Sequence, residues 1–297
     1  MMPAQTQEGH APASGRPRRR WAKRARMAIR YVFMLAYVAF VLLPIVYMVL
    51  IAFHTTDSVG SGVLLPPSWH WQTFIEMWST ITLGTYVKNS FLVALTAALC
   101  ASLLAFGASY VVARFRFRLR QTFRMSLLAS QTVPGVLLLL PLFVIYVTLQ
   151  HVLHVKIVGG YFGIVLAYMT FGLPFSIWML SIYIIGLPVE LEEQGLVDGA
   201  TRFQIVRAII LPLTLPGLVV AFVFSFLLGW NDVLFATALT SPATRTLAVG
   251  LQAYLEAFPA WNQLMAASLL AALPATLLFL FVQRYIVTGL TGGSLKG

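Results

Sequence analysis

The segment Pro188–Pro212 reads PVELEEQGLVDGATRFQIVRAIILP and lies between two long apolar stretches of the chain. It holds four of the nine acidic residues of the protein, Glu190, Glu192, Glu193 and Asp198. Because each flanking stretch is long enough to cross a bilayer, the polar segment between them is expected to form a loop at the membrane surface. The segment therefore indicates an integral membrane protein whose acidic residues are concentrated on one loop.

The composition extends this prediction to the whole chain of 297 residues, which is 59% hydrophobic and only 10% charged. A hydrocarbon core of roughly 30 Å requires about 20 apolar residues per helix, and backbone groups in lipid must be hydrogen-bonded within the chain. The sequence therefore predicts an all-α membrane protein with six transmembrane helices. Six stretches meet or approach this length: 31–53, 86–113, 123–150, 160–186, 209–236 and 264–284.

The basic residues predict the orientation, since cytoplasmic loops carry an excess of Lys and Arg. Only Lys88, Lys156 and Arg245 fall on one predicted side. Both termini and the acidic loop are therefore expected in the cytoplasm, with the protein in the cytoplasmic (inner) membrane. The net charge of +11 is explained by this topology rather than by binding of nucleic acid. The seventeen basic residues on the predicted cytoplasmic side are Arg16, Arg18, Arg19, Arg20, Lys23, Arg24, Arg26, Arg30, Arg114, Arg116, Arg118, Arg120, Arg124, Arg202, Arg207, Arg284 and Lys296.

Two regions are expected along the chain. Residues 1–30 are predicted to be a disordered basic cytoplasmic tail, and 31–297 a single six-helix membrane domain. The core of this domain is 86–285, and its cytoplasmic loop covers about 187–208. The first apolar run, of about 23 residues, is too long for a signal peptide and is expected to remain as the first span.

The acidic loop carries local signals for two short helices. Pro188 suits a first helical turn, and Gly199 follows the first helix at the position where a positive φ is common. Thr201 and Gln204 have the spacing of a capping box, which predicts the start of a second helix. These signals predict a rigid helix–turn–helix, although the same pattern also fits an ordinary capped loop between two spans.

The pattern of Glu193, Asp198-Gly199-Ala200, Ile209 and Leu211-Pro212 resembles the coupling loop of ABC importer permeases. Asn89-Ser90, Trp230-Asn231-Asp232 and the C-terminal Gln283–Gly297 are similar to the same family. We therefore identify a resemblance, over nearly all of the chain beyond residue 30, to the smaller six-span permease subunit of maltose-type carbohydrate importers. The resemblance implies a type I importer transmembrane domain that passes a sugar or sugar derivative by alternating access.

The resemblance also implies that the loop docks into a cleft on an ATPase subunit. In one respect the chain departs from the family, which usually has two alanines where Gln194 and Gly195 stand; this predicts a somewhat looser helix. The residues expected to couple the ATPase to transport are Glu193, Gln194, Gly195, Asp198, Gly199, Ala200, Phe203, Ile209, Leu211 and Pro212.

The expected partners follow from the same resemblance. They are a second permease subunit in a heterodimer, two ABC ATPase subunits, an external solute-binding protein and membrane lipid. No lysine follows a Gly-x-x-x-x-Gly pattern, so ATP is expected to be bound by the partner ATPase, and no cofactor, metal site or enzymatic activity is expected in this chain.

Four residues are candidates for the translocation path. Trp230, Asn231 and Asp232 combine an aromatic face with hydrogen-bonding groups, and Gln131 lies near a proline in the third span. The alternative for Asp232 is that it caps the external end of the fifth span. An ion-coupled secondary transporter is the rival function, but such carriers usually keep ionisable residues at the bilayer midplane, and these spans have almost none.

Overall fold

The computed structural model describes residues 16–257 and 260–292. Residues 1–15, 258–259 and 293–297 lie outside the described residues. These ranges include half of the predicted N-terminal tail and the end of the C-terminal motif. The described ranges are helical and contain no strand. The helices are α1 (Arg16–Ala52), α2 (Thr73–Thr80), α3 (Leu83–Arg114), α4 (Arg120–Ser130), α5 (Gly135–Leu153), α6 (Tyr161–Ile185), α7 (Glu190–Val197), α8 (Arg202–Ile205), α9 (Leu211–Asn231), α10 (Leu234–Leu239), α11 (Leu247–Ala257) and α12 (Trp261–Gly292).

Within residues 16–257 and 260–292, six helical stretches are long and apolar enough to cross a membrane, in agreement with the predicted number of spans. The shortest has 19 residues, close to the length of about 20 that a bilayer requires. The six are Arg26–Ala52 in α1, all of α3, α5 and α6, Arg202–Asn231 from α8 to the end of α9, and Trp261–Gln283 in α12.

The third span differs from the prediction of one helix over 123–150. The chain forms two helices there, α4 and α5, separated by residues 131–134. Pro134 precedes α5 with φ −58° and ψ 126°, outside the helical region. Because proline has no N–H to donate to a preceding turn, a helix readily ends before it and restarts after it. The predicted fifth span, 209–236, likewise ends at Asn231, and α10 follows as a separate helix.

Residues 16–30, which the sequence assigned to the N-terminal tail, form the first part of α1. Arg, Lys and Ala dominate this stretch, and all three are good helix formers. Because helix propagation costs less than nucleation, the apolar span can extend directly into this basic segment.

Helices α3, α6 and α9 form the centre of the bundle. Ala98, Ala101 and Ala105 of α3 are fully buried. Gly229 of α9 approaches the ring of Tyr168 on α6 so closely that a Cβ would lie 2.6 Å from it. Small residues let helix backbones come together in a membrane, where lipid tails are as apolar as the side chains. The three helices are thus held in a close-packed unit, and the acidic loop joins two of them.

The Asn89-Ser90 pair has a structural role at the opposite end of this unit. The Asn89 amide donates to the carbonyl oxygens of Ala243 and Arg245, at 3.0 and 2.9 Å. Ser90 Oγ accepts the N–H of Leu247 at 2.7 Å. These bonds satisfy backbone groups of the segment that leads from α10 into α11 and fasten it to the start of α3.

Candidate coupling loop and translocation residues

The acidic segment folds as two short helices joined by a turn. Gly199 lies between α7 and α8 with a φ of 82°, in the left-handed region that favours glycine. Thr201 Oγ1 accepts the Gln204 N–H at 3.4 Å, and Gln204 Oε1 accepts the Thr201 N–H at 2.7 Å. The predicted glycine turn and capping box are therefore both confirmed.

The inner face of the loop packs on the ends of two spans. Ile205 and Ile210 are 2% and 0% exposed and lie in one apolar cluster with Tyr110 of α3 and Ile184 of α6. Burying a side chain of this size is worth about 1.5–3 kcal/mol. The cluster holds the loop against the bundle, so the loop is not a mobile connection.

Gly195 explains one departure from the family pattern. It is buried in α7, and a Cβ at this position would lie 3.0 Å from Ile205 Cγ1 and 3.3 Å from Ile209 Cδ1. The glycine lets α7 lie directly against the residues that begin the fifth span. At this position α7 is therefore closely packed, whereas the sequence alone predicted a looser helix.

A buried ion pair fastens the loop to the end of α3. Arg114 Nε donates to Glu192 Oε1, and the two side chains are only 9% and 10% exposed. Tyr110 donates its hydroxyl to Glu192 Oε2 at 3.0 Å, and Arg114 Nη2 donates to the carbonyl of Leu187 at 3.0 Å. Charges this deeply buried are stable only when paired and hydrogen-bonded, as here.

Sequence reasoning missed this anchor, although it had noted the acidic residues at the start of α7. A usable signal was the spacing of Glu192 and Gly195, which places them on one face of a helix. Glycine is the smallest residue of α7 and marks the face that approaches a neighbour. The acid on that face is the buried one.

The outer surface of the loop combines acidic and apolar groups. Val197 is 87% exposed and Phe203 is 73% exposed. A shallow depression beside them is lined by Glu190, Glu193, Gln194, Val197 and Asp198. Large apolar side chains exposed beside charges are typical of a protein-binding surface.

The ten residues predicted for coupling divide between these two faces. Some lie outward and others support the loop from beneath. Glu193, Gln194, Asp198, Gly199, Phe203 and Pro212 are exposed, Ala200, Ile209 and Leu211 are half-buried, and Gly195 is buried.

The second loop helix continues directly into the fifth span. Between α8 and α9 lies a π-helical turn, Val206–Ile210, in which the Leu211 N–H bonds to the Val206 carbonyl. Pro212 follows and has no N–H to donate, so the helical hydrogen-bond register changes at this point. Because Arg202–Asn231 is one continuous helical stretch, a displacement of the loop acts directly on the span.

The Trp230-Asn231-Asp232 motif does not form a single polar surface. Asp232 accepts the Tyr168 hydroxyl at 3.1 Å and the N–H groups of Phe235 and Ala236 at 3.4 and 2.9 Å. It thus caps the start of α10 and binds it to α6, whereas the alternative reading of the sequence had it cap the end of the fifth span. Burial raises the pKa of Asp232 above its ordinary value, and the hydrogen bonds that it accepts oppose this shift.

The other three path candidates lie in two different places. Trp230 and Asn231 line a cavity of about 390 Å³ that α9 shares with α11 and α12. Trp230 is 5% exposed and donates its Nε1–H to the Ala271 carbonyl at 3.0 Å. Gln131 lies at the break between α4 and α5, where its amide donates to the Phe171 carbonyl at 3.3 Å.

The chain is similar to known proteins both in sequence and in fold. The sequence profile of the family described as "binding-protein-dependent transport system inner membrane component" matches residues 98–292. The chain is 34% identical over 238 residues to the inner membrane ABC transporter permease protein YcjP of Escherichia coli, covering 79% of this chain and 83% of that protein.

Two further relatives are named for particular sugars. Identity is 32% with the diacetylchitobiose uptake system permease protein DasC of Streptomyces coelicolor, over 86% of this chain and 91% of that protein. It is 31% with the maltose/maltodextrin transport system permease protein MalG of Escherichia coli, over 93% and 98%. The fold is similar to a bacterial ABC transporter involved in alginate import, with a TM-score of 0.73, 20% identity, and coverage of 93% of this chain and 99% of that chain.

Proposed function

Because the chain belongs to the family of binding-protein-dependent transport system inner membrane components, we propose that it forms half of the translocation path for a sugar or sugar derivative. Members of this family are ABC importer permeases, so the chain is a multi-pass transport protein and not an enzyme. The same assignment decides against the ion-coupled carrier that the sequence had left open. The sugar is inferred from relatives named for maltose and diacetylchitobiose uptake.

The acidic loop is the proposed site of coupling to the ATPase. Its attachment to α3 through Glu192 and its continuity with α9 carry this proposal. A loop that is rigidly joined to two spans transmits a displacement as rigid-body movement of those spans. The outward Glu193, Asp198 and Phe203 are proposed to contact the ATPase.

The remaining groups of the loop have supporting roles in this proposal. Gly199 forms the bend between the two helices, and Gly195 and Ile209 hold α7 against the fifth span. Alternating access then follows when closure of the ATPase moves the loop and rocks the attached helices.

An ABC importer permease works with an ATPase and a binding protein, and a related alginate transporter has been solved with an alginate-bound periplasmic protein. For this chain we propose a heterodimer with a second permease and two ATPase subunits. The residues of the α1 span and of α5 are mostly exposed, leaving apolar surface for lipid and for that second chain. The distribution of Lys and Arg supports cytoplasmic termini and a cytoplasmic loop.

The coupling proposal is tested by co-purification of the tagged chain in mild detergent. The Glu193→Arg variant should lose a co-purifying ABC ATPase, because it reverses an exposed charge on the proposed docking surface. Glu76→Arg is the matched control, since Glu76 is also exposed but lies in α2, far along the chain from the loop. Retention of the ATPase by Glu193→Arg, with normal uptake, would rule out docking at this surface.

The substrate class needs a separate measurement. Cells with and without the gene are compared for uptake of radiolabelled maltose and diacetylchitobiose, with methionine as a non-sugar control. We expect ATP-dependent uptake of a sugar to disappear with the gene. Loss of methionine uptake alone would refute the sugar assignment and leave the coupling site untouched.

A further inference from the structure

The segment that follows the second span alternates basic and apolar residues. Residues 115–125 read FRFRLRQTFRM, directly after the end of α3 at Arg114 and running into the first turns of α4. We call this the basic–aromatic segment. The predicted topology accounts for the basic residues of this segment but not for the apolar side chains between them, and the coupling of the ATPase requires neither.

The apolar side chains of this segment do not fold into the bundle. Phe117 is 41% exposed, Leu119 is 65% exposed and Met125 is 57% exposed. In α4 the first side chain to enter the core is Leu127, beyond the segment. These residues therefore present an apolar surface with no covering within the described chain.

The basic side chains between them have no acidic partner. Arg116 and Arg118 are exposed, and no carboxylate of the described residues lies within ion-pair distance of either. Arg114, which lies just before the segment, is already paired with Glu192. The neighbouring guanidinium groups remain available to an external anion.

The position of the segment identifies the kind of anion. Because α3 is long and apolar enough to cross the bilayer and ends at Arg114, the next residues are expected to lie near the depth of the lipid headgroups. Aromatic and long aliphatic side chains at this depth contact acyl chains, while arginine reaches outward to the phosphate region. The guanidinium fork matches a phosphate group, with two parallel hydrogen bonds.

We propose that the basic–aromatic segment binds anionic phospholipid. Arg116 and Arg118 bind the headgroup phosphate, and Phe117 and Leu119 pack against the acyl chains. Interleaved apolar residues at headgroup depth favour a lipid over the docking surface of a soluble protein, which would meet the chain beyond the membrane. This binding needs only that α3 crosses the bilayer, and it is independent of the transported solute and of the coupling site.

A lipid bound here lies next to the coupling loop. The Arg202 guanidinium, at the start of α8, sits 5.6 Å from the centre of the Phe115 ring. Arg120 donates to the carbonyl of Ala113 at 3.0 Å. Ala113 immediately precedes Arg114, which forms the ion pair with Glu192. Anionic lipid thus contacts the end of α3 to which the loop is fastened.

The test measures which lipids the tagged full-length chain retains. The purified chain is exchanged against equal amounts of phosphatidylglycerol and phosphatidylcholine, and bound lipids are counted by native mass spectrometry. We expect the wild type to prefer phosphatidylglycerol. Since each basic residue near the surface contributes about 1 kcal/mol, Arg116→Gln combined with Arg118→Gln should lower the preference by roughly thirtyfold.

Two matched variants separate site binding from a general effect of charge. Lys88→Gln combined with Lys156→Gln removes the same charge from exposed residues at the other end of the spans and should keep the preference. Arg116→Lys combined with Arg118→Lys keeps the charge and should retain most of it. A preference unchanged in the double Gln variant would overturn the proposal.

Two further outcomes are decisive. Added salt should weaken the wild type's preference for phosphatidylglycerol, since exposed charges are screened within roughly 10 Å. If the wild type shows no preference, or one that salt does not change, the lipid proposal is refuted by the wild type alone. If the double Gln variant instead loses a co-purifying ATPase and keeps its lipid preference, the surface belongs to a protein partner and the lipid proposal is wrong.

Discussion

The carboxylate of Glu192 is bound by Arg114, 78 residues earlier in the chain, so the acidic loop is fixed to the end of α3. The next residue, Glu193, is exposed on a different side of the same helix. Two adjacent acids thus have different roles: one holds the loop in place, and the other is available to a partner. This division suits the proposed role of the loop in coupling.

Glu192→Ala should destabilise the chain strongly. Removing one member of a buried pair leaves Arg114 as an uncompensated buried charge, which costs about 3–5 kcal/mol. Glu193→Ala is the control, and as an exposed substitution it should change stability by no more than about 0.5 kcal/mol. The thermal unfolding midpoint in detergent distinguishes the two, and equal midpoints would show that the ion pair does not hold the loop.

Gly199→Val should abolish uptake while the protein remains in the membrane. A β-branched residue in the left-handed region is strained by roughly 1–2 kcal/mol, which would distort the turn between α7 and α8. Gly199→Asn is the matched variant, because asparagine tolerates this conformation, and it should keep most of the activity. Uptake and membrane content are measured together, and normal uptake by the valine variant would contradict the role of the turn.

Gly195→Leu should push α7 away from the start of the fifth span. The added side chain would meet Ile205 and Ile209, and overpacking of this kind costs about 1–3 kcal/mol. Ile205→Ala in the same chain should restore part of the lost stability by making room. Thermal midpoints of the single and double variants give the coupling between the sites, and strictly additive effects would show that the two residues do not touch.

Asp232 should make the chain less stable as the pH rises. Its pKa in the folded protein is raised, so the folded state binds the proton more tightly than the unfolded state does. Its stabilising contribution is present below the ordinary pKa of aspartate and is lost as the pH rises through the raised value. The thermal midpoint of the wild type, relative to that of Asp232→Asn, should fall over this range. Parallel pH profiles for the two proteins would contradict the raised pKa.

Gln131, Trp230, Asn231 and Asp232 all stay predictions for the translocation path. Of these, Gln131 and Asn231 are exposed, but Gln131 lies at the break in the third span and Asn231 at the end of the fifth. Sequence alone could not tell whether they share a surface, since this depends on how the bundle packs. That Asp232 caps α10 was likewise not predictable, because the sequence indicated one continuous helix over 209–236.

The sequence by itself determined the features that depend on neighbours along the chain. The six spans follow from the length of apolar runs, the Gly199 turn from the absence of a side chain, and the capping box from the spacing of Thr201 and Gln204. Local signals did not predict the helix over residues 16–30 or the break within the third span, where helix continuation and Pro134 set the boundaries.

Only the tertiary structure decided which acid is buried and which glycine is required. Glu190, Glu192 and Glu193 are chemically alike. The sequence offers only the helical spacing of Glu192 from Gly195 to separate them, and it is the approach of α3 that pairs Glu192 with Arg114. Gly195 is likewise explained by Ile205, ten residues away on another helix. The physical reason is common to both: burial and pairing are properties of surfaces that meet only when distant segments pack together.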